Sequence, residues 1–183
     1  MKDIRELGDA SEEPMEGRGA TMYRALTARG LYLSQDRSDL GYAVKELSRN
    51  MSGPREVDAG RLKRLGRYLI GKERMVTGYK YQGIVNEVVV WTDSDHAGCG
   101  ETRKSTSGGV MMLGKHMIKA WSKQQAVVAI SSGEAEYYAL VKGGSEGLGV
   151  KGIMKDMGYE VGIEMRTDAS AAIGIVNRRD WEK

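Results

Sequence analysis

The sequence predicts an α/β domain preceded by a helical segment, and three observations lead there. Up to about residue 75 apolar residues recur at helical spacings, and from about residue 76 the period shortens from 3.6 to 2. The extended stretches come first as a hairpin-rich run and then alternate with helix, the order expected of a mixed central sheet with flanking helices. Between the last two strands, Ser131-Ser132-Gly133-Glu134 has the S-x-x-E form of a capping box, which opens a helix. The organisation expected is a flexible acidic lead-in at 1–20, a helical segment at 21–75 and an α/β domain at 76–183.

In order, residues 1–20 lack periodicity and are rich in acids and glycine, which reads as a mobile lead-in. A loosely apolar helix is expected at about 21–33. A second has Ser38 placed to cap it, with Leu40, Ala43, Val44, Leu47 and Met51 on one face. Ser52-Gly53-Pro54 ends it. The third, about 55–70, carries Leu62, Leu65 and Leu69 on one stripe and Arg61, Arg64 and Arg67 away from it. Val88 to Asp95 reads as a central strand, with Val89, Trp91, Asp93 and Asp95 on one side and Val88, Val90 and Thr92 on the other. A polar loop (His96 to Lys104) leads to strands at about 106–113 and 116–122, joined at Gly114-Lys115 as a type II′ hairpin. The capped helix is expected to run to about Glu146, weakened at its far end by Gly143, Gly144, Gly147 and Gly149, with a helix around 150–157 that could continue from it. Ile163 to Thr167 is a short strand, Asp168 stands at its end, and a last helix begins at Ala169.

Composition narrows the function classes. Hydrophobic residues at 40% of 183 are enough for a buried core, while 25 glycines predict a soft structure. The single Cys99 excludes an internal disulfide framework. No apolar run approaches the roughly 18 residues of a membrane span, and the charged N-terminus is unlike a signal peptide, so a soluble intracellular protein is expected. Residues 1–16 carry six acids and two bases, residues 17–75 thirteen bases and six acids, and residues 76–183 thirteen of each. Positive charge concentrated in one segment suits either a polyanionic partner or a solvated helix face.

The carboxylates carry the chemistry. Asp93 follows three valines, a tryptophan and a threonine, a setting that disfavours an acid unless it has reached the sheet's end or holds a ligand. Asp95 lies on the same face and competes for the role. Glu134 is already used as the third residue of the capping box, whereas Glu136 projects roughly 200° round from it and shares a face with Ala139, Leu140 and Gly143. Asp168 at a strand-to-helix junction is by itself an ordinary N-cap, and gains interest only beside the other acids. Carboxylates gathered from separate chain positions can hold hard divalent cations, and a pair of such ions can cut a phosphodiester. Arg103 and Lys104, beside Ser105, could contact a phosphate or could form an exposed basic loop. His96 and His116 show no metal-ligand spacing and are expected at the surface or in loops, and Cys99 has no established histidine partner for nucleophilic chemistry.

Four blocks make the string recognisable: WTDSDHAG (91–98), RKSTSGGVMML (103–113), AWSKQQAVVAISSGEAEYYAL (120–140) and RTDASAAI (166–173). They closely resemble the ribonuclease H domain of Ty/copia-type retrotransposon Pol polyproteins. Residues 23–51 and 61–71 resemble the segment joining the reverse transcriptase to that domain. The resemblance implies a ribonuclease H-like fold and hydrolysis of the RNA strand of an RNA–DNA hybrid, with two Mg²⁺ (or Mn²⁺) ions held by Asp93, Glu136 and Asp168. It implies as partners the hybrid and the reverse transcriptase portion of the same polyprotein. The other reading is a catalytically dead nucleic-acid-binding or connector remnant of that polyprotein. Two departures stand out: the family commonly has Trp where this chain has His96, and its members continue past the equivalent of Asn177 to a last helix and a fourth metal-binding acid, for which Asp180 comes too early. A C-terminally truncated domain is therefore expected.

Overall fold

The computed structural model describes residues 12–177, and the chain divides into two compact units, Met1–Thr77 and Gly78–Lys183. Asp180 and residues 1–11 of the expected lead-in lie outside the described residues.

The first unit is built of helices α1 (Gly17–Leu33), α2 (Gly41–Ser48) and α3 (Glu56–Gly71). Tyr23, Leu40, Val44, Leu47 and Leu65 form its core, with Met51, Leu62 and Leu69 packed around it, so the apolar spacings read in α2 and α3 face inward except at Ala43, which is exposed. Burial of each such side chain contributes about 1.5–3 kcal/mol. The Tyr23 hydroxyl meets its need for a partner by donating to the Leu47 carbonyl (2.6 Å). Asp58 is wholly buried, yet its carboxylate accepts from the Asn50 amide (2.8 Å), the Arg55 backbone N–H (3.0 Å) and Arg61 (2.8 Å). Arg61 thus belongs to an internal ion pair rather than to a free basic stripe, while Arg64 and Arg67 are exposed.

Two expectations for this unit are corrected. Residues 13–20 are not a mobile lead-in: Met15 N–H donates to Pro54 O (2.8 Å), Glu56 N–H donates to Glu13 O (3.1 Å), and α1 already begins at Gly17. Pairing of this sort uses backbone groups and leaves no side-chain periodicity to read. Ser38 does not cap α2 through its side chain; a short 3₁₀ turn, Ser38–Leu40, leads in instead. That turn is fastened by Arg37, whose guanidinium grips Asp39 with two bonds (2.9 and 2.8 Å) and also donates to the carbonyls of Lys72 and Glu73 just beyond α3.

The Arg37 hydrogen bonds, with one from Tyr68, hold the Asp39 carboxyl at about 2, down from its usual 3.8. A lowered carboxyl contributes stability above its unfolded value, and that contribution is lost as pH falls through the folded one. Helical signal followed in urea from pH 5 to pH 2 should show wild type more stable than Asp39→Asn above pH 4, with the two converging towards pH 2. Parallel curves would mean that this grip does not titrate.

The second unit is a four-stranded mixed sheet flanked by helices, an α/β arrangement of ribonuclease H-like type as expected. Its elements are β1 (Glu87–Asp95), β2 (Thr106–Leu113), β3 (His116–Gln124), α4 (Ser132–Asp156), β4 (Gly162–Arg166) and α5 (Ser170–Val176), with strand order β3-β2-β1-β4. The β1–β2 and β2–β3 pairs are antiparallel and β1–β4 is parallel. Gly114 has φ +58° and Lys115 an ordinary negative φ, as a type II′ turn requires. β1 is central, and its Val88, Val90 and Thr92 side is buried, but Trp91 on the other side is 48% exposed. Val88, Val90 and Met111 join Val161 in the core, with Val150, Met154, Ile163 and Met165 packed on them.

The capped helix does continue into the stretch around 150–157, and α4 runs unbroken through Asp156. Gly143 and Gly147 are buried on its inner side. A Cβ at Gly143 would fall 2.4 Å from the Thr92 methyl and 3.2 Å from Val90, and one at Gly147 would fall 3.1 Å from Ile163. These two glycines therefore let helix and sheet approach closely, and the packing gained outweighs the roughly 1 kcal/mol that each costs in helix propensity. No helix among the described residues is long and apolar enough to cross a membrane.

Candidate metal centre

The register of β1 creates the site. Its pairing with β4 ends at Trp91↔Arg166, while its pairing with β2 continues to Asp95↔Thr106. Past Trp91, then, one flank of β1 has no strand beside it among the described residues, and the chain leaving β4 turns through Thr167 to Asp168 at that gap. Asp93 stands on the same stretch of β1. α4 crosses the Val88–Thr92 face and brings Glu136, in its second turn, to the same place. Asp93, Glu136 and Asp168 each present a carboxylate oxygen within 4.8 Å of the others. Asp93 and Asp168 are exposed, while Glu136 is half-buried. A groove of about 630 Å³, lined by Trp91, Asp93, Gly108, Trp121, Thr167 and Asp168 among others, opens beside them.

Local chemistry fixes each side chain. At the start of α4 the Ser131 hydroxyl accepts from Glu134 N–H (3.1 Å). The Glu134 carboxylate reaches one residue further back than a standard box, to Ile130 N–H (2.8 Å), and accepts from the Tyr138 hydroxyl (2.9 Å). Glu134 is therefore held away by structure, and neither it nor Asp95 is in the cluster. Asp95 instead folds over Gly98, where an added Cβ would meet its carboxylate at 1.8 Å. Asp168 does not cap α5: the N-cap is Ala169, without a side-chain bond.

Glu136 carries the electrostatic tension. Burial raises its carboxyl above the ordinary range, the charges of Asp93 and Asp168 push the same way, and hydrogen bonds from Ser94 pull it back. Its Oε2 is buried without a hydrogen-bond partner. Three carboxylates this close, one of them with a buried oxygen that no hydrogen bond satisfies, are a donor set that suits a hard divalent cation.

The remaining candidates separate. Arg103 is exposed and Lys104 partly so, on a loop where Ala97 and Arg103 have φ of +53° and +55°. Ser105, grouped with them as a phosphate contact, is corrected: it is fully buried and its hydroxyl accepts from Ala97 N–H (3.0 Å), anchoring the loop. Cys99 is likewise interior, with Sγ accepting from Thr102. His96 is exposed, but His116 is partly buried, its ring set edge-on to Tyr79. Two residues that matter to the site went unread. Ser94 contacts Glu136 directly (2.9 Å). Gln125 is buried and bridges the Ser107 hydroxyl (2.9 Å) and the Ala135 carbonyl (2.8 Å), pinning α4's first turn to the sheet. The alternation of β1 could have signalled Ser94, since it puts Ser94 on the α4 side.

Comparison with known proteins shows what the chain is similar to. The chain is 35% identical over 141 residues to the Retrovirus-related Pol polyprotein from transposon RE1 of Arabidopsis thaliana, covering 77% of this chain and 10% of that one. It is 36% identical over 122 residues to Secreted RxLR effector protein 161 of Plasmopara viticola, covering 67% of this chain and 80% of the relative. These Pol relatives are of the Ty1/copia type, and the similarity supports a retrotransposon Pol region. Another member of the Pol group, from transposon TNT 1-94 of Nicotiana tabacum, is 29% identical over 158 residues, which is 85% of this chain. This Pol region spans about a tenth of the Pol polyproteins it matches. No family model matches it, and no solved structure does.

Proposed function

We propose that this Pol region is a metal-dependent ribonuclease that hydrolyses the RNA strand of RNA–DNA hybrids within a reverse transcriptase polyprotein. The observation that carries this reading is the convergence of Asp93, Glu136 and Asp168 on one point beside an open groove, with Glu136 Oε2 left unpartnered. Two Mg²⁺ or Mn²⁺ ions bound there would supply an activated water and stabilise the leaving oxygen. The three carboxylates would hold the ions. Arg103 and Lys104, on the loop between β1 and β2, would meet a backbone phosphate. A hybrid would be gripped by its phosphates and by the 2′-hydroxyls of the RNA strand, with little reading of sequence. The reverse transcriptase portion of the polyprotein would be the covalent neighbour.

A labelled RNA–DNA hybrid incubated with the chain should lose its RNA strand in Mg²⁺ or Mn²⁺ and stay intact in EDTA, while a DNA duplex of the same sequence is spared. A hybrid left whole in both metals, together with salt-sensitive binding, would replace the nuclease by a binding module. Loss of binding at low salt as well would remove the nucleic-acid partner altogether.

A further inference from the structure

The acid cluster has an asymmetry that the nuclease reading does not by itself require. The Ser94 hydroxyl donates to Glu136 Oε1 (2.9 Å), and the Ser94 backbone N–H also points to Oε1 (3.2 Å). Both donors land on one oxygen, and Oε2 is left buried without a partner. The same N–H donates to Asp93 Oδ1 (2.8 Å), so one residue touches two of the three acids. A carboxylate held at one oxygen by two donors presents the other in a fixed direction.

We infer that Ser94 is a positioning residue which selects Glu136 Oε2 as the oxygen offered to a divalent cation; this rests on the nuclease reading above. Its hydroxyl is not the fastening of helix to sheet. The Gln125 amide clamps the Ala135 carbonyl (2.8 Å), and Gly143 and Gly147 set the close contact further along α4. Removing the hydroxyl therefore loosens the carboxylate, leaving only the backbone N–H on Oε1, without freeing the helix.

Mn²⁺ binding, followed by electron paramagnetic resonance of the free ion on the full chain, tests this independently of cleavage. Ser94→Ala should weaken Mn²⁺ binding roughly tenfold, in the range seen for partners that orient metal ligands, and Ser94→Thr should restore it to within about twofold. Thermal unfolding in EDTA should shift by less than about 2 °C in either variant. Unchanged Mn²⁺ affinity in Ser94→Ala, or Ser94→Thr as weak as Ser94→Ala, overturns the positioning role and leaves the nuclease reading standing. A large loss of metal-free stability in Ser94→Ala also overturns it, in favour of a structural clamp. Wild type that binds no Mn²⁺ overturns the nuclease reading, and the role of Ser94 falls with it.

Discussion

Glu136→Gln is expected to abolish metal-dependent cleavage, by roughly a hundredfold or more, and at the same time to make the metal-free protein more stable. The second half follows from the sign of the perturbation. Burial, then the charges of Asp93 and Asp168, raise the Glu136 carboxyl in the folded state. A carboxyl raised on folding contributes stability below its unfolded value and loses it as pH rises through the folded one, so at pH 7 the ionised side chain opposes folding. Glutamine keeps the shape and can still accept from Ser94 at its carbonyl oxygen, but carries no charge. In EDTA at pH 7 its unfolding midpoint should lie a few degrees above that of wild type, a shift kept small by solvent screening of the exposed partners. Adding Mg²⁺ should reverse the order, because only wild type gains the free energy of binding. Equal stability in EDTA would show that the three acids do not repel one another appreciably, and the case for a cation holding them would lose its electrostatic basis.

Gly143→Val should be among the most damaging single changes in the second unit. A Cβ there already falls 2.4 Å from the Thr92 methyl, 3.0 Å from Met165 and 3.2 Å from Val90, and two of these neighbours are stiff, β-branched side chains on a central strand. Either α4 lifts or β1 bends, at about 2–4 kcal/mol. Gly144, one residue on, has nothing within 4 Å of its Cβ position, so Gly144→Ala should stabilise by about 0.5–1 kcal/mol. All three tryptophans fall within Gly78–Lys183, so tryptophan fluorescence in urea follows this unit. Because Glu136 rides on the same helix, Gly143→Val should also weaken Mn²⁺ binding, whereas Gly144→Ala should not. A neutral Gly143→Val would mean that the helix does not need its close approach.

These two variants mark where the sequence was legible. Alternation in Val88–Asp95 was enough to set Asp93 apart from Thr92, and the capping box separated Glu134 from Glu136 by giving the former a structural duty. The structure brings Asp93, Glu136 and Asp168 together, but sequence spacing alone left Asp168 an ordinary cap, because the gap beside β1 exists only through strand register. The role of the glycines in α4 was not legible for a related reason. Propensity penalises Gly143 and Gly147 locally, while their value lies in a contact with β1 some fifty residues away, which no local window contains. Ser105 and Gln125 were misjudged or passed over because a buried hydroxyl or amide looks in sequence like any polar loop residue. Its meaning comes from the backbone groups it satisfies.

The parallel pairing of β1 with β4 has a kinetic consequence. These strands are separated in the chain by the hairpin, α4 and their connections, and contacts of such long range form late because loop closure must be met before they reward it. Asp93 and Asp168 reach each other only in that step. The last event of assembly thus drives like charges together. Divalent cation present during refolding should ease this approach, so the ion would act on the rate at which the domain closes as well as on its finished state.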